Sequence, residues 1–198
     1  MENVTLLGKA ENYVSNLFLN SNTAGLFYHN YNHTLSVIEG IKTAAKSLQL
    51  PNKNTELLLL SAWFHDIGYL YTRTEHEAKS IEIIQNALRP NYINFIEAAS
   101  TCIAATKIGE IPENYLAALL KDIDVAFGSA YDFDQTNQAY REELIVSEDR
   151  HFSDEKWREM SLNFLRNIKF YSDYGKANFK PLVKKNLESY SNKQLQLK

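Results

Sequence analysis

The chain has 198 residues, of which 44% are hydrophobic, and this is enough to build one domain with a substantial core. The net charge of -3 and the scattered Lys and Arg residues leave no basic stripe, which argues against a dedicated binder of duplex DNA but allows a local site for a small anion. The single cysteine, Cys102, excludes an intramolecular disulfide.

Neither export nor membrane insertion is indicated. Glu and Lys interrupt the apolar positions of residues 1–20, where a signal peptide is uniformly apolar. The longest apolar run, residues 57–64, is far shorter than the roughly 20 residues that span a bilayer. We therefore expect a cytoplasmic protein without a membrane partner.

The spacing of apolar residues predicts an all-α fold. Apolar residues recur at intervals of three and four, and seven Gly and four Pro are too few for a protein built of tight β turns. We expect a bundle of about eight to ten helices in a single domain over residues 1–198, with a polar, frayed tail from residue 191. The predicted helices cover residues 3–19, 33–48, 54–66, 74–88, 92–106, 113–128, 134–146, 154–170 and 178–190.

Local signals predict how the third and fourth helices end and begin. The third is apolar nearly all round, which is typical of a central buried helix, and Gly68 stands where a left-handed C-terminal cap is expected. Thr74 and Glu77 match the capping box S/T-x-x-E at the start of the fourth helix. His65 and Asp66 would then occupy the last turn of the third helix.

A first pair of candidate ligands precedes or opens the second helix. His29 and His33 are four residues apart, so they share a face if the helix covers both, and otherwise His33 opens it. A His pair on a helix is more often a surface or packed pair than a metal site. This segment alone does not indicate a ligand site.

The pair His65-Asp66 is a stronger signal because it follows an apolar run. Burying an ionisable pair without compensation costs several kcal/mol, and a divalent metal ion is the natural compensating charge. The negative end of the helix dipole also favours a cation there. The alternative is a buried histidine bonded to backbone, with Asp66 as a neighbouring hydrogen-bond acceptor.

A third contribution comes from the sixth predicted helix. Asp124 shares a helical stripe with Ala117, Leu120 and Phe127, and a carboxylate on an apolar stripe requires a partner. Asp122 lies roughly 200° away around the same helix. We therefore predict Asp124 as the ligand candidate and Asp122 as a hydrogen-bonding or solvated residue.

The order His33, His65-Asp66, Asp124 resembles the HD-domain superfamily of metal-dependent phosphohydrolases, and in particular small bacterial proteins described as predicted HD phosphohydrolases. The resemblance spans roughly residues 25–130, with the helices of 134–190 expected to pack on the same domain. Further segments that carry it are Tyr28-His29-Asn30, Trp63-Phe64-His65-Asp66-Ile67-Gly68-Tyr69, His76-Glu77 with Ser80, Ala105-Thr106-Lys107 and Asp122-Ile123-Asp124.

The resemblance implies that His33, His65, Asp66 and Asp124 hold one divalent ion inside a helical bundle. Two imidazoles and two carboxylates, with water in the remaining positions, suit a six-coordinate Mn, Fe, Co, Ni or Mg ion better than a closed structural zinc site. Such an ion activates a water for attack on phosphorus, and Asp66 can both bind the ion and orient that water.

A phosphate substrate needs further cationic partners, for which the candidates are His29, Lys107 and Arg73. His29 and Lys107 are predicted to take part in catalysis as well as in binding. Lys107 has an alternative role, since a Lys in the last turn of a helix is favoured by the helix dipole alone. Arg73 follows the metal pair in a loop that can cover the site, although loop arginines are most often solvated.

His76 separates the one-metal from the two-metal hypothesis. It can face the metal, bind substrate or point to solvent, and related dinuclear proteins use extra histidines for a second ion. Here Thr106 and Lys107 stand where a further His is sought. One metal is therefore predicted, with a second not favoured.

The leading hypothesis is a metal-dependent hydrolase, a phosphomonoesterase or phosphodiesterase, that acts on a nucleotide or a related small phosphorylated metabolite. One alternative is a nucleotide-binding sensor that has lost its catalysis, and another is a dinuclear iron oxygenase on the same scaffold. Residue types alone define neither the shape of the substrate pocket nor the oligomeric state.

Overall fold

The computed structural model describes residues 5–88 and 92–192, and within them every regular element is helical. In this part of the chain ten α-helices and one short 3-10 segment follow one another, which confirms the all-α prediction. The bounds are α1 Leu6–Asn20, α2 Tyr31–Leu48, α3 Asn52–Phe64, the 3-10 segment Ile67–Leu70, α4 His76–Leu88, α5 Ile93–Thr106, α6 Tyr115–Phe127, α7 Phe133–Glu148, α8 Asp154–Asn167, α9 Asp173–Asn178 and α10 Lys180–Asn192.

Helix α2 begins two residues earlier than predicted because Asn30 caps it. The Asn30 side chain accepts a hydrogen bond from the backbone N–H of His33, which satisfies one free donor of the first turn. His33 therefore lies inside the first turn, while His29 precedes the helix. The sequence left open whether the helix covers both histidines. The structure shows that it does not, so His29 and His33 do not share a helical face.

Helix α3 ends at Phe64, so His65 and Asp66 lie just beyond it and not in its last turn. The predicted left-handed cap at Gly68 is wrong, because Gly68 belongs to the 3-10 segment and is not among the glycines with a positive φ. Its missing side chain serves a close approach instead. A Cβ at Gly68 would lie 2.0 Å from the backbone oxygen of His76, at the start of α4.

The predicted capping box at Thr74 is also wrong. Helix α4 begins at His76, and the residue before it, Glu75, has a left-handed backbone with φ of 55°. Glu77 is buried and its Oε1 lies 3.3 Å from His76 Nε2. Tertiary contacts with the 3-10 segment therefore decide where this helix starts.

The centre of the bundle is α3, which packs against α1, α2, α5 and α6. Its Leu58, Leu60 and Phe64 side chains are fully buried, as expected for a helix that is apolar all round. His65 and Asp66 directly follow the carboxyl end of this central helix, and they therefore lie in the interior of the bundle. The site is thus built where three neighbouring helices can reach one point.

The C-terminal helices contact the preceding part of the chain. Helix α9 packs against α6, and α10 packs against α8 and α9, where a single helix over 178–190 was predicted. Asp122 of α6 accepts hydrogen bonds from the backbone N–H groups of Tyr171 and Ser172. The assignment of all 198 residues to one domain stays a prediction.

Across residues 5–88 and 92–192, no helix is both long enough and apolar enough to cross a bilayer. The predicted frayed tail falls mostly on residues 193–198, which lie outside the described residues, whereas Ser191 and Asn192 are still helical.

Candidate metal centre

Four side chains place one donor atom each around a common point. They are His33, His65, Asp66 and Asp124, and their donor atoms all lie within 4.8 Å of one another. His33 and His65 are completely buried, Asp66 nearly so, and the Asp124 side chain is 20% exposed. The cluster is therefore closed on most sides and open to solvent near Asp124.

The separations between donor atoms match those around a metal ion. His33 Nε2 lies 3.1 Å from Asp66 Oδ2, from Asp124 Oδ1 and from His65 Nε2. His65 Nε2 lies 3.2 Å from Asp66 Oδ2 and 3.5 Å from Asp124 Oδ1. Ligands that meet an ion at right angles from about 2.1 to 2.2 Å are about 3.0 to 3.1 Å apart. The four residues can therefore hold a metal ion.

The hydrogen bonding of His65 prepares its Nε2 atom for ligation. Its Nδ1 lies 2.8 Å from the carbonyl oxygen of Ala62, which can only accept, so Nδ1 carries the proton and Nε2 has the free lone pair. That lone pair faces His33 Nε2, and the buried Asp66 Oδ2 has no hydrogen-bond partner among the described residues. A cation between these atoms satisfies all of them.

Ser80 of α4 fixes the backbone that carries the pair. Its hydroxyl donates to the carbonyl oxygen of His65 at 2.8 Å and accepts from the N–H of Gly68 at 2.9 Å. Both groups lie beyond the end of α3, where backbone groups lack helical partners. The turn that presents His65 and Asp66 is thereby tied to α4.

The imidazoles and the carboxylates stabilise each other's charged forms. Burial lowers the pKa of His33 and His65, but Asp66 and Asp124 outweigh burial and raise both pKa values. Burial likewise opposes ionisation of Asp66 and Asp124, yet the contacts with His33 and His65 hold the pKa of both carboxyl groups below the usual value. Without an ion the cluster thus favours ionised carboxylates paired with protonated imidazoles, and a metal ion would take the place of the imidazole protons.

A layer of three rings lies beside the cluster. The Tyr69 ring stacks on His29 at 3.8 Å and on His76 at 3.9 Å between ring centroids. His76 Nε2 lies 3.5 Å from Asp66 Oδ1, the carboxylate oxygen that does not face the other two histidines. The structure therefore brings His29 and His76 together next to Asp66, on either side of the Tyr69 ring.

Arg73 and His29 share a carboxylate that the sequence analysis missed. Glu143 of α7 is buried, and its Oε1 lies 2.5 Å from His29 Nδ1 and 2.8 Å from Arg73 Nη1. The sequence offers no signal that separates this glutamate from Glu142 beside it, since both stand in a polar helix. Only the packing of α7 identifies Glu143.

Lys107 occupies a surface position. It follows the last residue of α5, and its Nζ donates to both carboxylate oxygens of the exposed Glu75. The role expected for a lysine at a helix end falls instead to the buried Lys121, whose Nζ donates to the carbonyl oxygens of Ala105 and Lys107. A part for Lys107 in catalysis or substrate binding stays a prediction.

Asp122 makes its own hydrogen bonds away from the cluster. It is fully buried, and besides two backbone N–H groups it accepts from the hydroxyl of Ser172 at 2.6 Å. Of the two alternatives left open by the sequence, hydrogen bonding is correct and solvation is not.

The family model described as HD domain matches residues 30–132, just over half of the chain. All four residues of the cluster lie within the matched segment, whereas His29 and Glu143 lie outside it. No curated protein and no solved structure gives a significant match to the chain.

Proposed function

The chain belongs to the HD-domain family, and from this we propose that it is a metal-dependent hydrolase of phosphate esters, acting on a nucleotide or a related small phosphorylated metabolite. Proteins of this family are generally metal-dependent phosphohydrolases. The observation that carries the proposal is the four-donor cluster of His33, His65, Asp66 and Asp124.

The composition of the cluster supports a reactive site over a structural one. Two imidazoles and two carboxylates leave positions free on a six-coordinate ion such as Mn, Fe, Co, Ni or Mg. An ion held there lowers the pKa of a water and neutralises negative charge on a phosphoryl oxygen. We propose one such ion, since His76 and Glu77 lie outside the four-donor group.

The chain supplies its own groups around that ion. We propose that Asp66 orients the attacking water, because one carboxylate oxygen faces the histidine cluster and the other faces His76. His29, His76 and Arg73 would then contact the phosphate, and each can donate a hydrogen bond from nitrogen to a phosphate oxygen. Lys107 is a further candidate at the surface.

The experiment combines metal analysis with a turnover screen. We expect untreated protein to contain about one transition metal ion per chain and, with added Mn²⁺ or Co²⁺, to hydrolyse at least one member of a panel of phosphomonoesters, nucleotides and cyclic nucleotides. The variant Asp124→Ala serves as the control because it removes one ligand, and it should lack both metal and turnover.

Other results of this experiment would contradict the proposed hydrolase activity or favour one of the two alternative functions. Protein without metal and without turnover would contradict it. Tight nucleotide binding without turnover would identify a sensor that has lost its chemistry. Two irons per chain together with oxygen consumption would identify a dinuclear oxygenase.

A further inference from the structure

Glu143 is a buried carboxylate in which both oxygens accept hydrogen bonds at the edge of the candidate metal centre. Its Oε2 accepts from the backbone N–H groups of Tyr28 and His29, at 2.8 and 3.0 Å. Its Oε1 faces His29 Nδ1 at 2.5 Å and accepts from Arg73 Nη1 at 2.8 Å. The residue lies on α7, beyond the segment that the family model matches.

Three of the four partners can only donate, and this fixes the chemical state of the group. A backbone N–H and a guanidinium can only donate, and an ionised carboxylate can only accept. Burial raises the pKa of Glu143, but the contacts with His29 and the backbone N–H groups of residues 28 and 29 outweigh burial and lower it. A glutamine could not replace this glutamate, because its NH2 group would face a donor in either orientation.

The same contact fixes the orientation of His29. Because the ionised carboxylate of Glu143 can only accept, Nδ1 carries a proton, and Nε2 on the opposite side of the ring can donate to a phosphate oxygen when the ring carries a second proton. The ring is stacked on Tyr69, and its centroid lies 6.1 Å from that of His33 and 6.2 Å from that of His76. His29 is thus held beside the metal cluster by a carboxylate that does not belong to the cluster.

Arg73 is held in the same neighbourhood. Its guanidinium carbon lies 5.5 Å from the centre of the Tyr69 ring, and its side chain is 22% exposed. A guanidinium has five N–H donors, and the bond to Glu143 uses Nη1, which leaves Nη2 and Nε to bind an anion. Arginine suits a phosphate group because its donors match two oxygens at once.

We infer that Glu143 is a positioning residue that holds His29 and Arg73 against the phosphate group of the substrate, so that α7 completes the site. The inference rests on the proposed function. It assigns substrate recognition to a helix outside the matched segment, whereas the four ligands lie within it.

If Glu143 acted only through its charge, its effect on phosphate affinity would have the opposite sign from the one that a positioning role predicts. A carboxylate repels phosphate, so a residue that acted only through its charge would weaken phosphate binding, and removing that charge would strengthen it. A positioning residue strengthens binding despite its charge, because it orders two donors before the substrate arrives. The sign of the change in phosphate affinity therefore separates the two roles.

The test uses the full chain loaded with Mn²⁺ and inorganic phosphate as the probe, with affinity measured by titration calorimetry. We expect Glu143→Gln to weaken phosphate binding about tenfold or more, which corresponds to the loss of charge-assisted hydrogen bonds. The matched control is Glu142→Gln, which removes the same charge from an exposed neighbour on the same helix and should change the affinity less than about twofold.

Two further measurements test the role of Glu143 even if Glu143→Gln does not fold or the protein shows no turnover. Glu143→Asp keeps the charge and shortens the side chain, so it should fold, keep its metal and still lose phosphate affinity. Long-range nitrogen–proton NMR should show His29 protonated at Nδ1 in the native protein, with that preference lost in Glu143→Gln. Metal content should be unchanged in both variants, because the hydrogen bonds of Glu143 go to Tyr28, His29 and Arg73 and the four candidate ligands are left in place.

The inference is overturned by unchanged or tighter phosphate binding in Glu143→Gln, by an unchanged affinity in Glu143→Asp, or by a native His29 that is not protonated at Nδ1. It is also overturned if the metal-loaded native protein does not bind phosphate. Absence of turnover in every variant, with these affinity and NMR changes present, would instead contradict the proposed hydrolysis and leave the role of Glu143 intact.

Discussion

Asp122 and Asp124 stand two residues apart on α6, and each balances its buried charge in a different way. Asp122 accepts from two N–H groups and one hydroxyl around Ser172, and it is fully buried. Asp124 faces the imidazoles of His33 and His65. Since a helix turns by about 100° per residue, the two side chains point to nearly opposite sides. One carboxylate therefore supports the fold and the other can bind a metal.

Substituting each of these two residues should separate the roles. Asp124→Ala should lose bound metal, and it should also lower the free energy of unfolding of metal-free protein by about 3 kcal/mol, because the buried His33 and His65 lose a paired carboxylate. Asp122→Ala should keep its metal and lose about 2 kcal/mol or more, because three donors lose their acceptor. Metal analysis and urea unfolding measure both quantities. Metal loss in Asp122→Ala alone would reverse the assignment.

The 3-10 segment between α3 and α4 is the element that sets the geometry of the site. It follows directly after Asp66, and Ser80 of α4 binds backbone groups on both sides of that residue. Gly68 lies within the segment, where any Cβ would be 2.0 Å from the backbone oxygen of His76. The position of Asp66 therefore depends on how closely α4 approaches.

Gly68→Ala tests this dependence. The new methyl group must push α4 away, so we expect a loss of about 2 kcal/mol in the free energy of unfolding and a weaker affinity for Mn²⁺. Gly109→Ala is the control, because a Cβ there meets nothing within 4 Å, although its φ of 92° is strained for alanine. We expect the control to lose only about 1 kcal/mol and to keep its metal affinity. Equal metal affinity in both variants would show that α4 does not position the pair.

The whole molecule brings the four candidate ligands from three separate helical regions to one point. His33 comes from α2, His65 and Asp66 from the end of α3, and Asp124 from α6. These side chains are close together in the folded chain, whereas the unfolded chain has no preformed site, so an ion held by them binds the folded state preferentially. Ion binding should therefore stabilise the fold as a whole.

Thermal unfolding measures this coupling. At a Mn²⁺ concentration about 100 times the Kd, mass action adds about 2.7 kcal/mol to the free energy of unfolding. For a chain of 198 residues this should raise Tm by about 5 to 10 °C, and a chelator should reverse the shift. The variant Asp124→Ala should show no shift. A rise of equal size in that variant would place the bound ion elsewhere.

The all-α class follows from the sequence by itself, because helical periodicity is a property of residue order. The set of four candidate ligands was implied by the resemblance to the HD-domain superfamily, which depends on the order of the motifs along the chain. The spacing that predicts Asp124 over Asp122 is an angle around one helix, so no other part of the chain is needed to decide it. The central position of α3 can also be predicted from its own segment, because a helix that is apolar all round is typical of the centre of a bundle.

Only the tertiary structure decided what depends on contacts between distant segments. The left-handed cap at Gly68 and the capping box at Thr74 were predicted from local signals. Both predictions are wrong, because the close approach of α4 to the turn after α3 determines the backbone there. Glu143 carries no local signal at all, since a glutamate in a polar helix looks the same whether it faces solvent or His29. Burial and hydrogen bonding are set by which helices meet, and a pattern read along one segment does not contain that information.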